Sequence, residues 1–234
     1  MTTLGDVATL ILVRHARSAA NGAGTLAGRT PGVGLDETGR GQAAGLPERL
    51  SGLGVRRVVV SPLQRCQETA AGVAAAHGIE PVEEPGLAEV DYGDWTGRRI
   101  ADLTEEPLWK VVQQHPSAAV FPGGEGLAQM QARAVAALRE HDRAVEREFG
   151  ERAVWVACSH GDVIKSVLAD ALGTHLDAFQ RIVVEPCSVS VVRFTETRPF
   201  VLKVNDTGTD LSGLVPPEHP ASDAVVGGST GTPE

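Results

Sequence analysis

Cysteine is scarce in this sequence. Only Cys66, Cys158 and Cys187 occur among 234 residues, and none forms a CxxC pair. Three widely spaced cysteines argue against a disulfide framework and are typical of a reducing compartment. No stretch approaches the roughly 20 uninterrupted apolar residues that span a bilayer, and the apolar run 7–13 lacks the basic segment of a secretory signal. We therefore predict a cytoplasmic protein without a membrane partner.

Positive charge is also in short supply. The sequence holds 21 Lys and Arg against 30 Asp and Glu, which gives a formal net charge of −9 and a pI of about 5.3. Proteins that bind nucleic acid through its phosphates need the opposite balance. An acidic chain with a few arginines gathered locally suits a small anionic ligand. We predict a small-molecule partner and no nucleic acid, and the sequence leaves the oligomeric state open.

The sequence has the pattern of an α/β protein. Short apolar or β-branched runs predict strands at 10–13, 55–60, 79–82 and 153–158, and a hairpin at 188–194 and 200–204. Helical patterns lie between them, at 38–53, 62–76, 105–114, 127–149 and 163–172. This alternation predicts a three-layer α/β/α sandwich with a mainly parallel sheet. We assign residues 1–214 to one domain and predict that 215–234, rich in Pro, Gly, Ser and Thr, is a disordered tail.

The first strand ends in an unusual group of cations. Arg14, His15 and Arg17 follow directly after the apolar run 10–13. Charges at the end of a buried strand must be solvated or paired, and the carboxyl ends of parallel strands face the crevice where α/β sheets bind ligands. Two arginines beside a histidine suit a tetrahedral anion. On these residues alone, ordinary surface charge remains the alternative.

Arg65 follows the second strand in a similar way. Ser61 suits a helix N-cap and Pro62 the first helical position, which puts Arg65 in the first turn. A cation there opposes the helix dipole, but it is favourable if an anion binds at that helix end. A solvated surface arginine is the alternative.

Two further candidates are His160 and Glu89. His160 follows the strand 153–158, and Glu89 lies in a loop that also carries Asp91 and Asp94. Several strand ends that converge on one crevice favour a functional site over isolated structural residues. A metal site built from His15, Glu89 and His160 is an alternative, but no HExxH or similar spacing supports it. The segment 22–34 lacks the Gly-Lys-Ser/Thr of a P-loop, so we interpret it as a ligand-facing loop.

The candidate residues belong to an ordered set of short motifs. These are Arg14-His15 with Ser18 and Asn21, Ser61-Pro62-Leu63-Gln64-Arg65, Leu87-Ala88-Glu89, Gly93-Asp94-Trp95-Thr96-Gly97, Pro122-Gly123-Gly124-Glu125 and Ser159-His160-Gly161-Asp162. In kind and order they resemble the histidine phosphatase superfamily, in its phosphoglycerate mutase-like branch. The resemblance extends to about residue 165 and implies the phosphoglycerate mutase-like form of the α/β/α sandwich.

The resemblance implies hydrolysis of a small phosphate ester without a metal or other cofactor. His15 is then the nucleophile, which forms a phosphohistidine. Arg14, Arg65 and His160 hold the phosphate oxygens, where negative charge spreads in the transition state. Asn21 donates a further hydrogen bond to the phosphate.

Glu89 is implied to be the proton carrier, which protonates the leaving oxygen and later accepts a proton from water. The loop 28–35 lacks the Trp-x-Asp pattern of the glycolytic mutases, which favours a phosphatase. Ala16 stands where glycine is usual, and Gly126 where serine is common. The first alternative is a phosphomutase of the phosphoglycerate mutase type. The second alternative is a module that binds phosphoesters but has lost catalytic activity.

Overall fold

A six-stranded sheet forms the centre of the computed structural model, which describes residues 7–208. The strands are β1 Thr9–Arg14, β2 Val55–Val60, β3 Val82–Glu83, β4 Val154–Ser159, β5 Val189–Phe194 and β6 Pro199–Asp206. They lie in the order β3-β2-β4-β1-β5-β6. The first four strands pair in parallel, and β5 and β6 add an antiparallel edge. The predicted mainly parallel sheet is confirmed.

Helices cover both faces of this sheet. They are α1 Ala19–Gly22, α2 Glu37–Arg49, α3 Gln64–His77, α4 Ile100–Leu103, α5 Pro107–Gln114, α6 Leu127–Phe149 and α7 Gly161–Ala171. Side chains of β1 alternate between two cores: Leu12 packs with residues of α6 and α7, and Val13 packs with residues of α2 and α3. An apolar run buried on both faces is typical of a central parallel strand. The three layers follow from that alternation.

The start of α3 differs from the sequence prediction. The prediction of a helix that begins at Pro62 with Ser61 as its N-cap is wrong, because Leu63 is the N-cap and α3 begins at Gln64. The Ser61 hydroxyl lies 2.8 Å from Nε2 of His160, a tertiary contact that the local sequence does not reveal. Arg65 nevertheless lies in the first turn of α3.

Other boundaries shift by a few residues. The helix predicted at 38–53 spans Glu37–Arg49, capped by the Asp36 carboxylate, and the strand predicted at 79–82 is only Val82–Glu83. Helix α6 buries the carboxylate of Asp142 together with an apolar face, and this carboxylate accepts a hydrogen bond of 2.8 Å from Nε1 of Trp155. The buried apolar residues are Leu127, Met130, Ala134, Leu138 and Val145.

Part of the predicted domain organisation falls beyond the residues that the structure describes. The predicted tail 215–234 lies outside them, and the predicted domain boundary at 214 is therefore still a prediction. Within residues 7–208, no helix is both long and apolar enough to cross a membrane.

Candidate active site

The carboxyl ends of β1, β2 and β4 bring the predicted site residues together. His15 follows β1 and His160 follows β4, and their ring centroids are 5.2 Å apart. Arg65, in the first turn of α3, lies between them: its Nε is 3.3 Å from Nε2 of His15, and its Nη2 is 3.1 Å from Nδ1 of His160. All three side chains are buried. Parallel strands that end at one edge produce this convergence.

Hydrogen bonds define the protonation state of His15. Its Nδ1 lies 2.7 Å from the carbonyl oxygen of Ala16 and must donate to it, because a carbonyl only accepts. Nε2 therefore carries the lone pair, and it accepts from Nε of Arg65. Burial, followed by the charges of Arg65 and Arg14, lowers the pKa of His15 well below its usual value. His15 is thus a neutral imidazole with an unprotonated Nε2 in the crevice.

Two buried guanidinium groups supply the positive charge of the site. Nη2 of Arg65 donates to the carbonyl oxygen of Gly28 at 2.8 Å, whereas its buried Nη1 has no hydrogen-bond partner within residues 7–208. Nη1 of Arg14 donates to the carbonyl oxygen of Val184 at 2.7 Å. Burial lowers the pKa of Arg14, but an arginine remains charged in proteins. A desolvated pair of cations attracts an anion far more strongly than the same pair in water.

His160 has the opposite tautomer to His15. Its Nδ1 accepts from Arg65, so Nε2 carries the proton and donates to the Ser61 hydroxyl at 2.8 Å. The Sγ atom of Cys66 lies 3.4 Å from the same Nε2. Burial, followed by the charge of Arg65, lowers the pKa of His160 well below its usual value. Ser61 therefore orients this ring.

Glu89 is buried beside His160. Its Oε1 accepts from the backbone N–H of Val90 at 3.0 Å, and its Oε2 lies 3.9 Å from Nδ1 of His160. Burial, and secondly the charge of Asp162, raises the pKa of Glu89 to about 7, although Arg65 acts in the opposite direction. Both protonation states are therefore populated near neutral pH, as proton transfer in both directions requires.

Asn21 lies in α1, apart from this hydrogen-bonded group. Its Oδ1 accepts from the backbone N–H and the hydroxyl of Ser18, at 3.0 Å and 2.8 Å. This contact leaves the amide NH₂ as the end that can donate to a ligand. The phosphate-binding role of Asn21 is still a prediction.

No metal-binding cluster is evident in this crevice. His15 directs Nδ1 at a backbone carbonyl, and His160 uses both ring nitrogens in protein hydrogen bonds. Within the described part of the chain, no group of three or more His, Cys, Asp or Glu side chains is arranged to hold a metal ion.

Comparison with known proteins identifies the family. The family model described as "Histidine phosphatase superfamily (branch 1)" matches residues 10–207. The chain belongs to the histidine phosphatase superfamily. The family predicted from the ordered motifs is thereby confirmed.

Relatives of this histidine phosphatase include both phosphatases and mutases by name. The chain is 32% identical over 201 residues to "Phosphoserine phosphatase 1" of Hydrogenobacter thermophilus, which covers 85% of this chain and 92% of the relative. It is also 32% identical over 188 residues to "Probable phosphoglycerate mutase GpmB" of Yersinia pestis, over 80% of this chain and 85% of the relative.

The fold is also similar to that of solved structures. Bacillus stearothermophilus YhfR aligns with a TM-score of 0.77 and 25% identity, over 85% of this chain and 97% of that one. The phosphoglycerate mutase-like architecture predicted for this histidine phosphatase is thereby confirmed.

Sequence reasoning missed the buried charges beneath the site. The carboxylate of Asp162, in the first turn of α7, accepts from the hydroxyl of Tyr92 at 2.9 Å and lies 3.6 Å from Nζ of Lys165. These three side chains are buried. In the sequence, only the position of Asp162 directly after His160-Gly161 indicates that it belongs to the site.

It also missed how the Glu89 backbone is held. The carbonyl oxygen of Glu89 accepts from Nε of Arg29 at 2.8 Å and from Nη2 of Arg133 at 3.1 Å. Both arginines also bind the carboxylate of Glu125, at 2.9 Å and 2.6 Å. The Pro-Gly-Gly-Glu motif thus anchors the Glu89 loop through two arginines from distant segments.

Proposed function

We propose that this histidine phosphatase hydrolyses a small phosphorylated metabolite through a phosphohistidine at His15, without a metal ion. The observation that carries the proposal is the hydrogen bonding of His15. Nδ1 is held by the Ala16 carbonyl at 2.7 Å, and the unprotonated Nε2 faces Arg65 at 3.3 Å. A neutral ring nitrogen beside desolvated cations is a nucleophile directed at a bound phosphoryl group.

The first half-reaction forms the phosphoenzyme. Nε2 of His15 attacks phosphorus as the bond from phosphorus to the ester oxygen breaks. Arg14 and Arg65 stabilise the charge on the phosphoryl oxygens. The bound dianion raises the pKa of His160, so that its Nδ1 takes up a proton from solvent on binding, donates to the same group, and returns that proton to solvent when phosphate leaves. Protonated Glu89 gives its proton to the leaving alkoxide.

The second half-reaction returns the enzyme to its starting state. Ionised Glu89 accepts a proton from water as the water oxygen attacks phosphorus. The bond from phosphorus to Nε2 of His15 breaks, and inorganic phosphate leaves. His15 is again neutral with its proton on Nδ1, and Glu89 is again protonated. A pKa of about 7 for Glu89 suits both of its roles.

The charge distribution at the crevice favours a phosphatase over a mutase. A mutase must hold its substrate through a second anionic group while the phosphoenzyme waits. Arg29, the basic residue of the loop 22–34, is paired with Glu125 at 2.9 Å and lies 3.9 Å from Asp91. It is therefore engaged by carboxylates of the protein itself.

Rapid quenching with a radiolabelled phosphate ester tests the mechanism. We expect an acid-labile, alkali-stable phosphoenzyme and net release of phosphate. His15→Ala should abolish both. His115→Ala is the matched control, since His115 is 70% exposed and bonds to neither His15 nor His160 within the described structure. EDTA should leave the rate unchanged.

Three results would contradict this proposal. Retention of most activity by His15→Ala would exclude His15 as the nucleophile. Isomerisation of a phosphoglycerate with little free phosphate would favour the mutase alternative. Tight binding of phosphate esters without turnover would favour a retired binding module.

We also infer that the protein works in the cytoplasm. Its three cysteines are buried free thiols, a state that a reducing compartment preserves.

A further inference from the structure

The rim of the crevice carries an arginine that the protein neutralises. Arg29 follows Gly28, whose carbonyl oxygen binds Arg65 at 2.8 Å, so Arg29 borders the phosphate-binding arginine. Its guanidinium donates to the backbone of Glu89 at 2.8 Å and to Glu125 at 2.9 Å, and it lies 3.9 Å from Asp91. A second anionic group of a ligand that approached Arg29 would therefore also approach the carboxylates of Glu125 and Asp91.

Two other basic side chains, Arg133 near this rim and Lys165 beneath the site, are engaged as well. Arg133 binds Glu125 through two nitrogens, at 2.6 Å and 3.0 Å, and uses Nη1 on the carbonyl oxygen of Gly86 at 2.7 Å. Lys165 is buried, donates to Gln180 at 2.6 Å and lies 3.6 Å from Asp162. Both side chains are thus engaged by protein acceptors, and a ligand would have to compete with those contacts.

Arg65 is different from these residues. Its buried Nη1 atom has no hydrogen-bond partner within residues 7–208, while its Nε and Nη2 atoms contact the rings of His15 and His160. The residues outside that range contain no Lys or Arg. The crevice therefore has positive charge available for one phosphoryl group.

We propose that the site selects phosphomonoesters whose alcohol portion carries no anionic group, because Glu125 and Asp91 neutralise the arginine at its rim. This inference rests on the proposed phosphatase function and adds the charge class of its substrate. Neutral polyol or sugar phosphates and amine-bearing phosphates fit this class. Esters with a carboxylate near the phosphate do not, since like charges brought together at a binding surface disfavour the complex.

Two matched pairs of substrates test the inference. Glycerol 1-phosphate and 3-phosphoglycerate differ by one carboxylate, as do phosphoethanolamine and O-phosphoserine. We expect kcat/KM to be roughly tenfold or more higher for the first member of each pair, mainly through KM. Affinities of the four esters for His15→Ala are measured in parallel, so the charge preference is tested even if wild-type protein turns over none of them.

Asp91→Asn is the diagnostic variant. It removes one carboxylate beside Arg29. In the wild type the backbone N–H of Gly93 donates to Oδ1 of Asp91 at 3.1 Å, and the amide oxygen of the variant can still accept this hydrogen bond. We expect the discrimination in each pair to shrink several-fold, through a lower KM for the carboxylate-bearing ester. Asp94→Asn, an exposed carboxylate in the same loop, is the matched control and should leave the discrimination unchanged.

Equal kcat/KM and equal affinity within both pairs would overturn the inference and leave the phosphatase proposal intact. A preference for 3-phosphoglycerate over glycerol 1-phosphate would also overturn the inference. Loss of that preference in Arg99→Ala would assign it to Arg99, which is exposed and forms a backbone β-bridge with Thr25 of the loop 22–34. Failure of wild-type protein to hydrolyse any ester would contradict the phosphatase proposal instead. In that case the four affinities still decide the charge preference.

Discussion

The hydroxyl oxygen of Ser61 lies 2.8 Å from Nε2 of His160, in a buried contact that joins the end of β2 to the end of β4. This hydrogen bond leaves Nδ1 of His160 facing Arg65 and Glu89. A serine that the local sequence marks as a helix cap instead orients a histidine of the site.

Ser61→Ala should therefore impair catalysis as well as stability. Removal of one partner of a buried hydrogen bond costs roughly 1–3 kcal/mol of folding stability. The His160 ring also loses its orientation, so we expect kcat/KM to fall about tenfold. The measurement is steady-state phosphate release, with urea unfolding to monitor the fold. Ser51→Ala is the control, because the Ser51 hydroxyl bonds only the Glu48 carbonyl at the surface in this structure. Unchanged kcat/KM would show that His160 does not need this contact.

Glu89→Gln should separate substrates by their leaving group. The amide can still accept from the backbone N–H of Val90, but it cannot donate a carboxylic proton. We expect a loss of roughly 10²–10⁴-fold with an alkyl phosphate. An activated aryl phosphate should lose much less, because its leaving group departs without a proton. Equal losses on both substrates, or a larger selective loss from Asp91→Asn, would assign the role elsewhere.

The pH profile should depend on Asp162. Glu89 has a pKa of about 7, raised first by burial and then by the charge of Asp162. The first step needs protonated Glu89, so kcat/KM for an alkyl phosphate should fall above about pH 7. Asp162→Asn removes a negative neighbour, lowers the pKa of Glu89 and moves this limb to lower pH. Asp170→Asn, in the same helix, is the control, and a limb that stays in place in Asp162→Asn would contradict the assignment.

Asp142 should make the stability of the protein dependent on pH. Burial raises its pKa from 3.8 to about 6. The folded state therefore disfavours the ionised form, and stability is lost as pH rises through this interval. The side chain of Asp142→Asn can still accept from Trp155 but does not ionise. We therefore expect its free energy of unfolding at pH 7.5 to exceed that of the wild type by up to about 3 kcal/mol. Near pH 4 the two proteins should have equal free energies of unfolding.

Urea unfolding at both pH values measures this difference. Asp102→Asn, at an exposed position of α4, is the control: it keeps Asp142 and should retain the pH dependence of wild type. A variant that is less stable than wild type at pH 7.5 would show that Asp142 is ionised and stabilising in the fold.

The sheet and most of the site could be predicted from local patterns. Val58, Val59 and Val60 are β-branched, apolar and followed by turn-forming residues, and a short run of this composition favours a buried strand over a helix. Because the ends of parallel strands meet at one edge, the positions of His15, Arg65 and His160 follow once the strands are assigned. Periodicity and topology are therefore sufficient for this part of the molecule.

The remaining features depend on partners distant in sequence. Arg29 and Glu125 are 96 residues apart, and Ser61 and His160 are 99 apart. No local pattern indicates which serine caps a helix and which one binds a histidine ring. Asp142 lies on the apolar face of α6, between Leu138 and Val145, but no local pattern indicates that Trp155 of β4 supplies its hydrogen bond. Buried polar contacts of this kind are decided by tertiary packing.

The position of β1 has a consequence for biosynthesis. Among the strands within residues 7–208 it is the first to be synthesised, yet its two neighbours in the sheet, β4 and β5, begin only at Val154 and Val189. At typical translation rates the nascent run Leu10-Ile11-Leu12-Val13 waits on the order of ten seconds for a partner. Exposed apolar segments with unpaired edges aggregate readily. The yield of active protein should therefore depend on chaperones that cover this amino-terminal segment during synthesis.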